Sequence, residues 1–247
     1  MLRLDDPTSL SRLFHLNSEP WLNDEAYRGG TAHPDFTRPA GVLAETPLPA
    51  PPESALAALA RRRTSCRAYA ARPMPAAELS AVLAAAYGLV DEGVAAGGAR
   101  TLRRTVPSAG ALYPLELYAL VRRVEGVPDG VHHYDVLGHQ LQLLTPGDPW
   151  PAVEPALYAY PFVRDANLIL LLATVFARTQ TKYGPRGYRY ILLEAGHAGQ
   201  NVCLRAAELG LATLCMGGFV DSHVERLLGL TAGRDGVVYA LAVGYAA

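Results

Sequence analysis

The sequence predicts an α+β fold, a mixed sheet flanked by helices with one long buried central helix. Three observations point there. Two helix-forming stretches precede a series of strand-like segments. The apolar run at residues 168–177 reads as a strand covered on both faces. Beyond it, RGYRYILLEAGHAGQNVCLRAAELG has no proline and ends in glycine, as a long helix does.

In chain order, residues 1–50 are polar and proline-rich, end in TPLPAPPE, and read as an irregular arm with a short helix near residues 9–16. After Pro51 and Pro52, SALAALARRR is helical, with proline near its start and arginines in its last turn where the helix ends favour them. A second helix spans residues 75–87 and stops at Gly88. DEGVAAGGAR follows as a glycine-rich loop. LELYALVRRV is rich in β-formers and reads as a strand. GVHHYDVLGHQLQLL gives a hairpin turning at residues 135–139, and PAVEPALYAY a short helix. NLILLLATVF is the doubly covered strand. The long helix after it closes at Gly210 and is apolar or small nearly all round, which places it inside the fold. LATLCMGG is a strand running into a loop. DSHVERLLGL is a helix with Ser222 and Glu225 spaced as a capping box, and VVYALAVGYA is the last strand. With no internal repeat and no second composition block, residues 51–247 are read as one domain behind the arm.

The bulk numbers narrow the function. A net charge of -1 argues against a nucleic-acid binder. Cys66, Cys203 and Cys215 are odd in number and widely spaced, without a CxxC pair, which fits a reducing cytoplasm. MLRLDDPTSL lacks the pattern of a signal peptide, and the longest apolar run is short of the roughly 20 residues that span a bilayer. There is no GxxxxGK[ST], GxGxxG or GxSxG, so the usual support for an ATPase, a Rossmann dehydrogenase or an α/β-hydrolase is missing.

Several stretches carry candidate chemistry. RRRTSCR sets guanidinium groups beside Thr64 and Ser65, which suits either a phosphate or a solvated helix cap. In TVPSAGALYPLELY, the small residues Ser108, Ala109 and Gly110 let backbone approach a flat ligand, or simply make a tight turn. CMGGFVD exposes backbone N–H groups at Gly217 and Gly218, or forms an ordinary strand-to-helix loop. EAGHAGQN places Glu194, His197 and Asn201 on one helix face, where a satisfied structural network is favoured over a metal site. His132, His133 and His139 have no carboxylate at ligand spacing.

Together these blocks resemble the nitroreductase-like flavoproteins, and most closely their SagB-type branch, the FMN-dependent azoline dehydrogenases. RRTSCRAY with RPMPAAEL, PSAGALYPLELY, HHYDVLGHQLQLL, KYGPRGYRYILLEAGHAGQN, and GLATLCMGGFVD with LLGL and VVYALAVG carry the likeness over residues 55–246. LFHLNSEPW in the arm is similar to the region before the family's core. The resemblance implies a cytoplasmic homodimer with FMN at the subunit interface. Arg62, Arg63 and Thr64 would hold its phosphate and ribityl chain, with Ser65 and Arg67 as neighbours. Pro107, Ser108, Ala109 and Gly110 would line the flavin from the other subunit, Gly217 and Gly218 would sit by the ring's N5 edge, and Asn201 would lie close to the cofactor. Cys66 departs from the family, where a basic residue is common and would aid phosphate binding. The family's larger members carry an extra N-terminal region, and this chain of 247 residues is expected to lack it, and leader-peptide recognition with it.

The adjacent Lys182 and Tyr183 stand at the place of the family's catalytic pair. Aromatising a thiazoline or oxazoline takes a hydride from one ring carbon and a proton from the next, so a base must face the ring opposite the electron acceptor. Desolvation lowers a lysine's pKa toward values useful for a base, and the tyrosine would relay the proton or hold the base. The resemblance therefore implies oxidation of azolines in a peptide or carrier-bound intermediate, and allows other biosynthetic enzymes as partners. The alternatives are an NAD(P)H-dependent nitro or quinone reductase, and a non-catalytic flavin-binding subunit of a biosynthetic complex.

Overall fold

A computed structural model describes residues 9–19, 40–94, 100–157 and 160–247. Much of the arm, the centre of the glycine-rich stretch at residues 95–99, and residues 158–159 lie outside the described residues. The elements are α1 (Ser9–Asn17), α2 (Ala55–Arg62), β1 (Tyr69–Ala70), α3 (Ala76–Tyr87), β2 (Leu89–Val94), β3 (Arg100–Arg104), β4 (Leu115–Val121), β5 (Gly130–Asp135), β6 (Gln140–Pro146), α4 (Trp150–Val153), β7 (Leu168–Val175), α5 (Phe176–Tyr183), α6 (Arg186–Glu208), β8 (Ala212–Met216), α7 (Asp221–Leu227) and β9 (Asp235–Ala246).

The main sheet runs β1-β9-β7-β4-β5-β6, with β8 also paired to β9. Its ladders are antiparallel, and a parallel bridge joins Ser65 to Thr213 at its margin. β7 lies between β9 and β4 and is buried along nearly its whole length. Its pleat divides it between two cores. Leu168, Leu170 and Leu172 face the core made with α3 and α6, while Ile169, Leu171 and Ala173 face the one made with α4 and α7. That is why the strand reads as an unbroken apolar run.

Three local expectations change. β7 stops at Val175, and Phe176 opens a separate helix, so NLILLLATVF is not all strand. Asp91 to Val94 and Arg100 to Arg104 pair as a two-stranded sheet, so the flanks of the glycine-rich stretch are strand rather than loop. α6 buries a stripe containing Ile191, Ala195, Ala198, Val202 and Ala206, but Leu192 and Leu193 are 39% and 55% exposed, so it is not enclosed all round. Leu192, Leu193 and Gly196 make its outer face look apolar in sequence.

α6 comes close to β9 at Gly199, where an added Cβ would stand 2.6 Å from Tyr239 Cε1. Gly199→Ala should force the Tyr239 ring aside and cost about 1–3 kcal/mol by overpacking. Urea denaturation reads this directly, and an unchanged midpoint would show that the helix has room to spare.

The helix of the arm is tied to α7. His15 Nε2 lies 3.3 Å from Glu225 Oε1 and 3.8 Å from Asp221 Oδ1. Glu19 Oε1 accepts from the Ser222 N–H at 2.8 Å and from its hydroxyl at 2.7 Å. This overturns the capping box: α7 already starts at Asp221, and the Ser222 side chain is spent on the arm. Burial pushes the Asp221 carboxyl from an ordinary 3.8 up to about 7, against the pull of His15 and with help from Glu19 and Glu225. The folded state thus binds this proton more tightly than the unfolded chain. Stability should fall as pH rises from about 4 to about 7, with no further loss from this group above that. Denaturation curves across that range should show the native chain losing stability relative to Asp221→Asn. Parallel profiles would refute the assignment.

Candidate active site

The polar face of the site is built where α5 meets α6. α5 ends in Lys182 and Tyr183, and Gly184 then breaks the helix at φ 56°, a left-handed conformation suited to glycine. Pro185 starts the turn into α6. This elbow turns the two head groups onto the PSAG turn. A Cβ placed on Gly110 would meet Tyr183 Oη at 2.8 Å and Lys182 Nζ at 2.9 Å. Lys182 Nζ lies 5.3 Å from the Tyr183 ring centre, and that ring packs edge-on against Tyr190 at 5.1 Å. The expected amine–phenol pair and the expected flat-ligand turn are therefore neighbours.

The turn is held from beneath. Glu194 is buried on α6 and accepts a hydrogen bond from the Tyr87 hydroxyl. It also bonds Ser108, whose Oγ accepts from the Tyr113 N–H at 2.9 Å. Tyr87 Oη in turn accepts from the Leu115 N–H at 3.2 Å. Burial raises the Glu194 carboxyl above its ordinary range, and the hydrogen bonds from Ser108 and Tyr87 with the charges of Arg104 and His197 only partly offset this. Asn201 Nδ2 donates to Ala85 O at 3.2 Å and Thr105 O at 3.1 Å, which pins the chain entering the turn. Its amide nitrogen is thus committed to backbone. Arg178 of α5 pairs with Glu116 and reaches Tyr113 O at 3.4 Å. Burial alone would raise the Glu116 carboxyl, but His133 and Arg178 outweigh it and hold it low.

Pro107, Ser108 and Ala109 line a slot of about 290 Å³ with Tyr190, Leu193, Glu194 and His197. Arg62, Arg63 and Thr64 line a different cavity, of about 230 Å³, with Cys203, Gly210 and Thr213. Ser65 takes part in the bridge to Thr213, and Arg67 is exposed. Gly217 and Gly218 follow β8, with Tyr160 Oη 3.3 Å from where a Gly218 Cβ would be. One chain thus joins Lys182, Tyr183 and the PSAG turn, and keeps the basic cluster in a separate cavity. The hairpin histidines are engaged elsewhere: His132 with Pro128 O, His133 with Glu116 and Gln142, His139 with Ser80 and Tyr134. Among the described residues no cluster of metal-ligating side chains forms, and no helix is long and apolar enough to cross a membrane. The sequence reading missed Tyr87, Tyr190 and Arg178. Only the helical spacing of Glu194, His197 and Asn201 hinted at the network.

The sequence profile of the nitroreductase family matches residues 60–245. The chain belongs to the nitroreductase family. MJ1384 of Methanocaldococcus jannaschii, named as a nitroreductase, is 38% identical over 188 residues, 76% of this chain and 91% of that protein. The microcin B17-processing protein McbC of Escherichia coli is 30% identical over 141 residues, 53% of this chain and 50% of McbC. The match thus spans about half of McbC. A chain of the E. coli microcin synthetase McbBCD complex, solved with truncated pro-MccB17 bound, superposes with a TM-score of 0.72 over 100% of this chain and 95% of its own. At 21% identity that likeness is one of fold. The nitroreductase fold accounts for the antiparallel sheet and for the long helix α6.

Tyr87→Phe removes one hydroxyl and leaves both the Leu115 N–H and Glu194 short of a buried partner. It should cost about 1–3 kcal/mol, measured as a lower urea midpoint. A neutral result would show that the turn does not lean on this network.

Proposed function

We propose that this chain is an FMN-dependent oxidoreductase that aromatises thiazoline or oxazoline rings in a peptide or carrier-bound intermediate, working as a homodimer. The observation that carries the reading is the convergence of Lys182 Nζ and Tyr183 Oη on Gly110. The residues suit the cofactor at both ends. Arg62, Arg63 and Thr64 offer charged and neutral donors around a cavity sized for a phosphate. Pro107, Ser108 and Ala109 form a shallow slot against Tyr190 and Leu193 that suits a flat ring. The two cavities share no lining residue, and Leu192 and Leu193 are exposed on α6 at the slot, an apolar surface that supports the packing of a second copy of the chain there. When bound, FMN supplies the two-electron acceptor.

The chain's own part is the proton. Lys182, once desolvated by ring and cofactor, takes it from the ring carbon. Tyr183 stands beside the amine, relaying the proton or holding the base, and its own ring is braced by Tyr190. The Glu194 network keeps the turn from yielding. McbC's name as a microcin B17-processing protein supports a substrate of the peptide class. Partner enzymes of the kind in the McbBCD complex belong to the same reading.

A second reading, nitro or quinone reduction, is favoured by the name of MJ1384. It gives Lys182 no task. Lys182→Ala should therefore lower azoline oxidation by about 10²–10⁴-fold while the purified protein keeps its yellow flavin absorbance. Unchanged azoline turnover rejects the first reading. A colourless native protein that cannot be reconstituted with FMN rejects both.

A further inference from the structure

Two of the three cysteines, far apart in spacing rules, meet in the fold. Cys203 of α6 and Cys215 of β8 have their sulfurs 3.6 Å apart. Cys203 is buried and lines the Arg62–Thr64 cavity, while Cys215 is exposed. A hydrogen bond shared with the Cys203 sulfur, another with Tyr239 and the nearby Arg63 outweigh burial and hold Cys215 below the ordinary thiol range. The arrangement is that of an accessible nucleophilic thiolate with a resolving thiol behind it. Cys66 is engaged differently, with its thiol donating to Ala68 O at 3.0 Å.

We propose that Cys203 and Cys215 form a reversible dithiol–disulfide site, and that its oxidised form constricts the Arg62–Thr64 cavity and weakens phosphate binding there. The gating half rests on the flavin reading above, and the chemistry of the pair does not. A hydroperoxide is the oxidant. The Cys215 thiolate attacks a peroxide oxygen, an S–O bond forms as O–O breaks, and one water leaves. The Cys203 sulfur then displaces that oxygen, so S–S forms, S–O breaks, and a second water leaves. Two thiols and one hydrogen peroxide become one disulfide and two waters. Closing the gap from 3.6 Å to a bond of about 2.05 Å pulls the Cys203 and Cys215 side chains, and with them α6 and β8, together. Those two elements carry Ala207 and Thr213 of the cavity wall and flank Gly210, so the cavity narrows.

The test uses the full chain, reduced and desalted, then treated with a small excess of hydrogen peroxide, with and without FMN. The expected result is loss of two hydrogens by intact mass, a mapped Cys203–Cys215 peptide and full reversal by dithiothreitol. Cys66→Ser should form the same link, and Cys203→Ser and Cys215→Ser should not. Oxidised protein should bind FMN about tenfold or more weaker than reduced protein in a fluorescence titration, and bound FMN should slow the oxidation. A link through Cys66, or over-oxidation of Cys215 without a link, overturns the site. Equal FMN affinity in both states overturns the gate. Reduced protein that binds no FMN sinks the proposed function and the gate together, and the peptide map still decides the dithiol site.

Discussion

A carboxyl under a turn sets the geometry of the candidate site. The PSAG turn and the residues that follow it place Gly110, Ala111 and Tyr113 at φ 63°, 53° and 45°, and two of these are not glycine. Left-handed backbone of this kind costs about 1–3 kcal/mol per non-glycine residue and persists only when its surroundings over-determine it. Glu194 supplies that determination through Ser108 and Tyr87, Asn201 through Thr105 O, and Arg178 through Tyr113 O. Because Glu194 is buried, it must in turn be kept satisfied, so turn and carboxyl each require the other. The elbow at Gly184 then needs only to point two head groups at a backbone that does not move.

The fold was legible where the pleat and the helix period act alone. β7 reads as one apolar run because both its faces meet a core, and the α6 sequence has the length and glycine stop of a helix. Legibility failed where tertiary contacts redirect a local signal. Ser222 and Glu225 have capping spacing, yet Glu19, about two hundred residues earlier, takes the serine. α5 was hidden because its first residue, Phe176, is apolar enough to prolong the strand pattern and is itself buried. At the site, the amine–phenol pair and the small-residue turn were visible from their residue types and from family resemblance. Tyr87 was not, because a tyrosine near the end of an apolar helix carries no mark of the carboxyl it will meet.

α6 is the common wall of both cavities, and its geometry explains why one chain does not unite them. Tyr190, Leu193, Glu194 and His197 form one stripe for the slot, and Cys203 and Ala207 another for the basic cavity. At 1.5 Å and 100° per residue, the stripe centres lie roughly 17 Å apart along the axis and about 110° apart around it. A straight helix offers no way to bring those faces together. The exposed Leu192 and Leu193 lie on the outer side of the same helix, and a two-fold partner packed there could set its own slot against this chain's arginines. The proposed active site is then a property of the pair. A shift of Cys203 toward β8 acts at the cavity lined by Arg62–Thr64, roughly 17 Å along α6 from the stripe that lines the slot.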